Sequence, residues 1–507
     1  MSPKEVRGAL SGLLLGLFVS MLASTIVSNA LPRIVPDLGG TQNVYSWIIT
    51  TELLAMTAAV PLWGKMADLY SKKVLVQLSL GVFACGSLVA GFAPNVDVLI
   101  LSRVLQGIGA GGMTALAIAV LAAMVSPREM GRYSGLFGAV FGLATVVGPL
   151  IGGLLVDTSW LGWRWCFFIG VPLALAAGLL LQRTLHLPVV RRKARIDWLG
   201  AALIVSGVSE LLIWSTLAGD KYAWASWQTA VLVSGGVALL GLAVYVESRA
   251  AEPIIPLSIF RSRTVALATL ATVVVGVLMF GSGVFLSQYL QISLGKSPTA
   301  AGLMTLPLVF GLLVASTLAG ILITRHGRWK VYLVAGAVLM TVGALLFGFI
   351  DAHTNVLLLS VYMVVFGVGI GLLLQNLVLA AQNEVPASNL GAATSTVSFF
   401  RSMGGAIGVS ALGAVLANRV TTLLQERLGS AGTGDGTVKV PDLTRLSPEV
   451  LPIVQDAYGE ATADLFRVAV PIALLAVLAV LLIKEKPLQT LSGDQRRAKE
   501  TAGSSSE

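Results

Sequence analysis

Charge is what this sequence has least of. Asp, Glu, Lys and Arg make up 12% of the 507 residues against 56% hydrophobic, whereas a soluble globular chain is about one quarter charged. That shortage points away from a soluble domain and towards an integral membrane protein. Cysteine is nearly absent as well. Cys85 and Cys166 both fall in apolar runs, so free thiols are expected and not a disulfide framework. The three histidines, His186, His326 and His353, stand apart at loops or helix ends, without the spacing of metal ligands. No Gly-Lys-Ser/Thr phosphate loop occurs, so ATP-driven export is not indicated. Neither an enzyme nor a cofactor is implied. The net charge of +9 reads as basic cytoplasmic loops and not as a nucleic-acid surface.

What the chain has instead is long apolar runs, each near the 20 residues or so that a bilayer core requires. Candidate helices fall at about 8–30, 45–66, 74–93, 98–124, 133–156, 164–182, 198–219, 228–247, 265–291, 300–323, 330–350, 355–380, 396–417 and 465–483. The expected fold is therefore all-α and membrane-integral with 14 transmembrane helices, both termini on one side. No small-residue cleavage site follows the first run, so it is expected to stay as a helix. With the N-terminus inside, 24 of the 34 Lys and Arg residues, Arg401 among them, lie on the inner side and 9 on the outer, with Arg103 inside a helix. Basic residues stay in the cytoplasm, which supports cytoplasmic termini and a multi-pass protein of the cell membrane.

Two loops resemble one another. GKMADLYSKK starts at Gly64 and GILITRHGRWK at Gly320; in register Gly64 matches Gly320, Asp68 matches Thr324, Ser71 matches Gly327 and Lys72 matches Arg328. Transporter folds are often built from such repeats, with the substrate site at mid-membrane between them. The division expected is a six-helix half over 1–183, a linker with helices 7 and 8 over 184–250, and a second six-helix half over 251–488. A long outside loop, 418–464, carries a helical pattern from Ser447 and reads as a surface cap or lid. The polar tail 489–507 has the composition of a disordered segment.

Polar groups inside apolar runs are the candidate functional residues. Arg103 lies about seven residues into helix 4 from the outside, where an arginine costs roughly 2.5–3.5 kcal/mol on insertion scales and usually faces a cavity and pairs. Snorkelling to the outer surface is the competing reading. The stretch MLASTIVSNALP, residues 21–32, places Ser24, Thr25, Ser28 and Asn29 in helix 1 with no charge. They suit a cavity that binds substrate or water; interhelical hydrogen bonds, about 0.6 kcal/mol each, are the rival role. Gln288, Tyr289 and Gln291 on helix 9 and Gln375 and Asn376 on helix 12 are cavity candidates of the same kind.

Several motifs in order carry a family likeness. GKMADLYSKK resembles the first cytoplasmic loop motif G-x-L-A-D-R-x-G-R-K, with Leu69 in place of the Arg and Ser71 in place of the second Gly. LSRVLQGIGAGG (101–112), GLATVVGPLIGG (142–153), WRWCFFIGVP (163–172) and PLSIFRSRT (256–264) resemble further motifs. From about residue 10 to 485 the chain resembles the fourteen-helix drug/proton antiporters of the major facilitator superfamily, the EmrB/QacA-like multidrug exporters. The resemblance implies export of amphipathic small molecules, such as drugs and antibiotics, across the lipid bilayer in exchange for protons. It also implies that Asp68, with Lys72, Lys73 and Arg132, forms a latch between the halves, with Gly320, Arg325 and Arg328 in the second copy of the loop. Gly142, Gly148, Pro149, Gly152 and Gly153 match the exporter helix motif, where Pro kinks a helix and Gly permits close sliding contact.

The family pattern L-D-x-T-I-V-x-x-A-L-P has Ala23 at its Asp position here, so the usual helix 1 carboxylate is missing. Glu52, about seven residues into helix 2, lies at a depth similar to Arg103 and is the expected substitute. Burial disfavours its charged form and a nearby guanidinium favours it, opposed effects that suit a group loading and releasing a proton. Glu210, near the middle of helix 7, is the rival, with a tether between helices as its alternative. A proton-coupled uptake symporter and a non-transporting receptor or lipid-binding scaffold remain as other readings of function.

Overall fold

Inside hydrocarbon a peptide N–H or C=O finds no water, so an apolar segment must close its own hydrogen bonds as a helix. The computed structural model describes residues 3–38, 42–125, 127–158, 161–185, 197–217, 222, 225–250, 253, 257–296, 298–428 and 447–489, and no β-strand is among them. The first group of helices is α1 (Pro3–Asp37), α2 (Gln42–Leu69), α3 (Lys72–Gly91), α4 (Val96–Met124), α5 (Pro127–Asp157), the short α6 (Trp165–Phe168) and α7 (Gly170–Thr184). A hairpin follows, α8 (Trp198–Leu217) and α9 (Trp227–Arg249). The last group is α10 (Arg263–Ile292), α11 (Pro298–Met304), α12 (Leu306–His326), α13 (Lys330–Phe347), α14 (Val356–Leu374), α15 (Asn376–Glu384), α16 (Leu390–Leu428) and α17 (Val450–Leu482).

Among the described residues twelve helices are long and apolar enough to cross a membrane. The expected spans 133–156 and 198–219 fall on α5 and α8, and α8 carries a shorter apolar stretch, Leu199–Leu211. Helix starts are fixed by local chemistry. The Asn95 side chain accepts from Val98 N at the head of α4, with Asp97 in the first turn, an N-cap that satisfies an otherwise orphaned donor.

Within the first group α4 is the central element. It packs against α2, α3 and α1, and nearly all of it from Gln106 to Ala123 is buried. Its glycines allow this. Gly107 and Gly111 meet the α2 backbone at Glu52 and Met56, while Gly109 meets α3 at Phe83. In the last group α10 plays a similar part, packed against α16, α17 and α15. The two groups meet along two seams, α5 against α12 and α2 against α16. The α8–α9 hairpin packs on itself, and α8 also touches α2 and α16. It stands beside the second seam.

The 418–464 segment differs from the loop expected. Helix α16 runs on to Leu428 and α17 starts at Val450, so both ends of that segment are helical, and 429–446 lies outside the described residues. The reason is an amphipathic extension that hydropathy alone does not flag. Val420, Leu423, Leu424 and Val454 are buried. Charges join the outer faces: Arg419 to Asp464 at 2.6 Å, Arg419 to Glu460 at 3.3 Å and Arg427 to Glu460 at 2.5 Å. Ser293 donates to the Gln455 carbonyl at 2.9 Å, tying α17 to the end of α10. The tail 490–507 lies outside the described residues.

A Cβ at Gly107 would run into the Glu52 carbonyl, whereas one at Gly81 meets nothing within 4 Å. Gly107→Val is therefore expected to lower stability by about 1–3 kcal/mol through overpacking. Gly81→Ala is expected to leave it unchanged or raise it by up to about 1 kcal/mol. Unfolding midpoints of the purified protein in detergent check both.

Candidate functional site

Close approach of α2 and α4 puts two charges in reach of each other where neither meets solvent. Arg103 and Glu52 are 1% and 2% exposed, and Arg103 Nη2 donates to Glu52 Oε2 in a direct ion pair. The guanidinium is further held by Gln106 Oε1 at 2.7 Å and by the Ile48 carbonyl at 3.3 Å. Gln106 Nε2 then donates to Ser87 Oγ at 2.8 Å. The network thus runs from α2 through α4 to α3. Glu52 Oε1 is buried and has no hydrogen-bond partner among the described residues. Arg103 does not snorkel: it turns inward to a carboxylate. Gln106 and Ser87 were not anticipated, although Gln106 stands one turn after Arg103 in an otherwise apolar run and is a signal of the same kind.

The other singled-out residues are placed as follows. In helix 1, Thr25 Oγ1 donates to the Ala144 carbonyl of α5 at 3.0 Å, and Gly148 of α5 lies directly against that threonine. Ser24 is half-buried; the side chains of Ser28 and Asn29 lie outside the described residues. In the last group Tyr289 is fully buried, with its hydroxyl donating to the Asp351 carbonyl at 2.7 Å. Asn376 donates to the Leu372 carbonyl at 2.7 Å and Gln291 to Ser287 Oγ at 3.0 Å. Gln288 is half-buried, as is Gln375, which sits where α14 breaks into α15. The structure does not gather these groups around Glu52. It uses several of them to join neighbouring helices or turns.

The exporter-type helix α5 links both groups by its small residues. Gly148 and Gly152 face α1 at Thr25 and Ile26, and Gly142 faces α12 at Val309. The side chain of Pro149, like Gly153, lies outside the described residues. At the α2–α3 junction, Gly64 abuts Ser395 and the Gly391 carbonyl of α16 so closely that no Cβ fits. Lys73 donates to the Gln182 carbonyl at 2.7 Å near the end of α7, where a cation suits a helix C-terminus. Lys72 is half-buried; the side chains of Asp68 and Arg132 lie outside the described residues. In the second copy Arg325 and Arg328 are exposed and Gly320 is buried.

Two placements change the picture drawn from sequence. Glu210 points at α9, with Oε1 2.5 Å from where a Cβ on Gly235 would sit, so it lies inside the hairpin contact. Arg401, counted above among inner-loop cations, instead lies within α16 and is 9% exposed. An arginine in SFFRSMGG, inside an apolar run, is the signal that loop counting passed over. The WRW motif also acquires a role. Trp163 Nε1 donates to Asp37 at 2.6 Å, and Arg164 covers the Trp163 ring at 4.3 Å while facing Asp37 at 3.7 Å. These contacts fasten the end of α1 to the start of α6.

Comparison with known proteins bears on family and fold. The Major Facilitator Superfamily profile matches residues 13–409. An uncharacterised MFS-type transporter of Mycobacterium tuberculosis is 40% identical over 505 residues, covering 97% of this chain and 72% of the relative. The multidrug transporter protein MdtP of Bacillus subtilis is 35% identical over 421 residues, covering 83% and 77%. The solved structure of the MFS proton:xylose symporter XylE superposes with a TM-score of 0.64 at 14% identity, covering 98% of this chain and all of that one; that likeness concerns the fold alone.

Removing one partner of a buried ion pair strands the other, at a cost of about 3–5 kcal/mol. Arg103→Met is expected to destabilise the protein by that order. The double variant Glu52→Met/Arg103→Met is expected to recover at least half of the loss, because no lone charge remains. A double-mutant cycle on detergent unfolding checks this; additive losses would show that the pair is not coupled.

Proposed function

The chain belongs to the major facilitator superfamily, and on that footing we propose that it exports amphipathic small molecules from the cytoplasm in exchange for protons, with Glu52 as the proton carrier. It is a multi-pass cell-membrane transporter of small-molecule substrates, with multidrug transporters among its relatives. The finer reading has 14 spans, both termini in the cytoplasm, six-helix halves over 1–183 and 251–488, and the α8–α9 hairpin inserted at 184–250. The basic residues concentrated on one side of the chain support that orientation.

One observation carries the coupling: a buried carboxylate with one oxygen on Arg103 and the other, Oε1, without a partner. A proton added at Oε1 neutralises Glu52 and breaks the charge attraction that draws α2 to α4. Arg103 keeps Gln106 and the Ile48 carbonyl, so its donors are not all stranded. In alternating access, protonation from outside favours opening to the cytoplasm, and return of the proton to the cytoplasm restores the pair as substrate moves outward. The Gly64 end of α2 packs tightly against α16 here, which supports reading this conformation as the one closed on that side. Glu210, inside the hairpin contact, serves as a tether.

Proton flux in proteoliposomes, on adding a panel of lipophilic antibiotics and dyes, tests the reading. Drug-driven proton release is expected in the wild type, to fall at least tenfold in Glu52→Gln, and to persist in Glu210→Gln at normal expression. Full flux in Glu52→Gln would remove Glu52 from the coupling. Drug-driven proton movement of the opposite sense would mean uptake.

A further inference from the structure

The membrane region holds two deeply buried arginines, and they differ in one respect. Each of the three guanidinium nitrogens of Arg103 has an acceptor in the chain. Arg401 is nine-tenths buried, and among the described residues its Nη1 has no hydrogen-bond partner and no carboxylate is paired with it. It lies about 16 Å along α16 from the Leu390 end, at 1.5 Å per residue, where α10 comes close enough for Gly276 to touch the Arg401 carbonyl.

Arg401 does not stand alone. Thr396 Oγ1 and Ser398 Oγ on α16, Thr269 Oγ1 on α10 and Gln382 Oε1 on α15 are likewise buried without a partner. The three helices pack together, and Gln382 Nε2 donates to Thr394 Oγ1 at 2.6 Å, joining α15 to α16 about 10 Å of helix rise from Arg401 towards Leu390. The two α16 hydroxyl residues lie within about 8 Å of helix rise from Arg401. Helix α16 is also the wall shared with α2 and α4 across the seam between the two groups. This part of α16 and its two neighbours thus carries several buried hydroxyl and amide oxygens without partners among the described residues, and one cation without a carboxylate. A buried charge persists only when it is paired and hydrogen-bonded, and the planar guanidinium fork matches a carboxylate in a bidentate fashion.

We propose that Arg401 binds the negatively charged group of the transported molecule, so that the substrates are amphipathic organic anions. This rests on the exporter reading above and names its substrate class. The acids support it. Glu52 is paired to Arg103 and Glu384 to Lys486 at 2.7 Å, while Glu210 is turned into the hairpin. Glu52 and Glu384 thus each already hold a cation of the chain, and Glu210 faces a helix contact.

The test uses dansylglycine and dansylglycinamide, which share a fluorophore and differ in the carboxylate, titrated by fluorescence against the purified full-length protein in detergent. The wild type is expected to bind the acid at least tenfold more tightly than the amide. Arg401→Gln is expected to abolish that preference. Arg401→Lys, which keeps the charge and loses the fork, is expected to reduce it at least threefold and supplies the reading if the Gln variant does not fold. No preference in the wild type, or an unchanged preference in either folded variant, overturns the proposal. Binding needs no proton gradient, so loss of antiport leaves this result readable. Proton-coupled transport of neutral or cationic dyes without preference for the acid would keep the exporter reading and reject this one.

Discussion

A glutamate and an arginine can share a dry interior only where the helices carrying them nearly touch. Gly107 and Gly111 let α4 come against the α2 backbone at Glu52 and Met56, and that proximity makes the ion pair possible. The dependence runs both ways. Close packing without the arginine would leave a bare carboxylate in a water-poor interior, and the arginine without close packing would have to reach for the membrane surface. Gln106 and Ser87 extend the same arrangement to α3, so three helices are held in register by one polar thread. With these faces of α2 and α4 committed, α2 still has a side free to meet α16.

The helices themselves were legible, because a bilayer demands long apolar runs and this chain has almost nothing else. Depth was legible as well: counting turns from the outer ends put Glu52 and Arg103 level, and the structure pairs them. What the residue pattern withheld was anything decided by helix rotation. Thr25 reads equally as a cavity group or as a packing group until α5 is seen to supply the Ala144 carbonyl. Arg401 is counted with the inner-side cations when the helix start is set at 396, about five residues before it, whereas the helix begins at Leu390, eleven residues before it. The helical pattern expected from Ser447 corresponds to the start of α17 at Val450, whereas the extension of α16 escaped for a related reason. Its apolar stripe is narrow and its charges face those of α17, so average hydropathy falls while helix and packing continue.

The two junctions whose sequences resemble one another are built differently. Both α2–α3 and α12–α13 turn within a few residues. The second uses Gly327 at φ +74, a left-handed cap that suits glycine, and the first has Ser71 at φ −60 in extended conformation. The second also borrows a distant acid: Glu485 accepts from Trp329 N at 2.8 Å and Lys330 N at 3.1 Å, capping the head of α13. The first instead anchors Lys73 on the Gln182 carbonyl near the end of α7. Both turns are short, while their backbone conformations and the bonds that secure them differ.

The charged ends of α16 and α17 have a mechanical consequence. At 39 residues α16 is about 58 Å long, roughly twice the hydrocarbon thickness. The Arg419–Asp464 and Arg427–Glu460 pairs brace it to α17, and Ser293 pins that partner to α10. The pin at Gln455 lies near the Val450 end of α17, so the long end of α16 is tied through α17 to α10 and belongs to the last helix group as one piece. By geometry alone, a tilt of a few degrees of that group about mid-membrane would displace the Leu428 tip by ångströms.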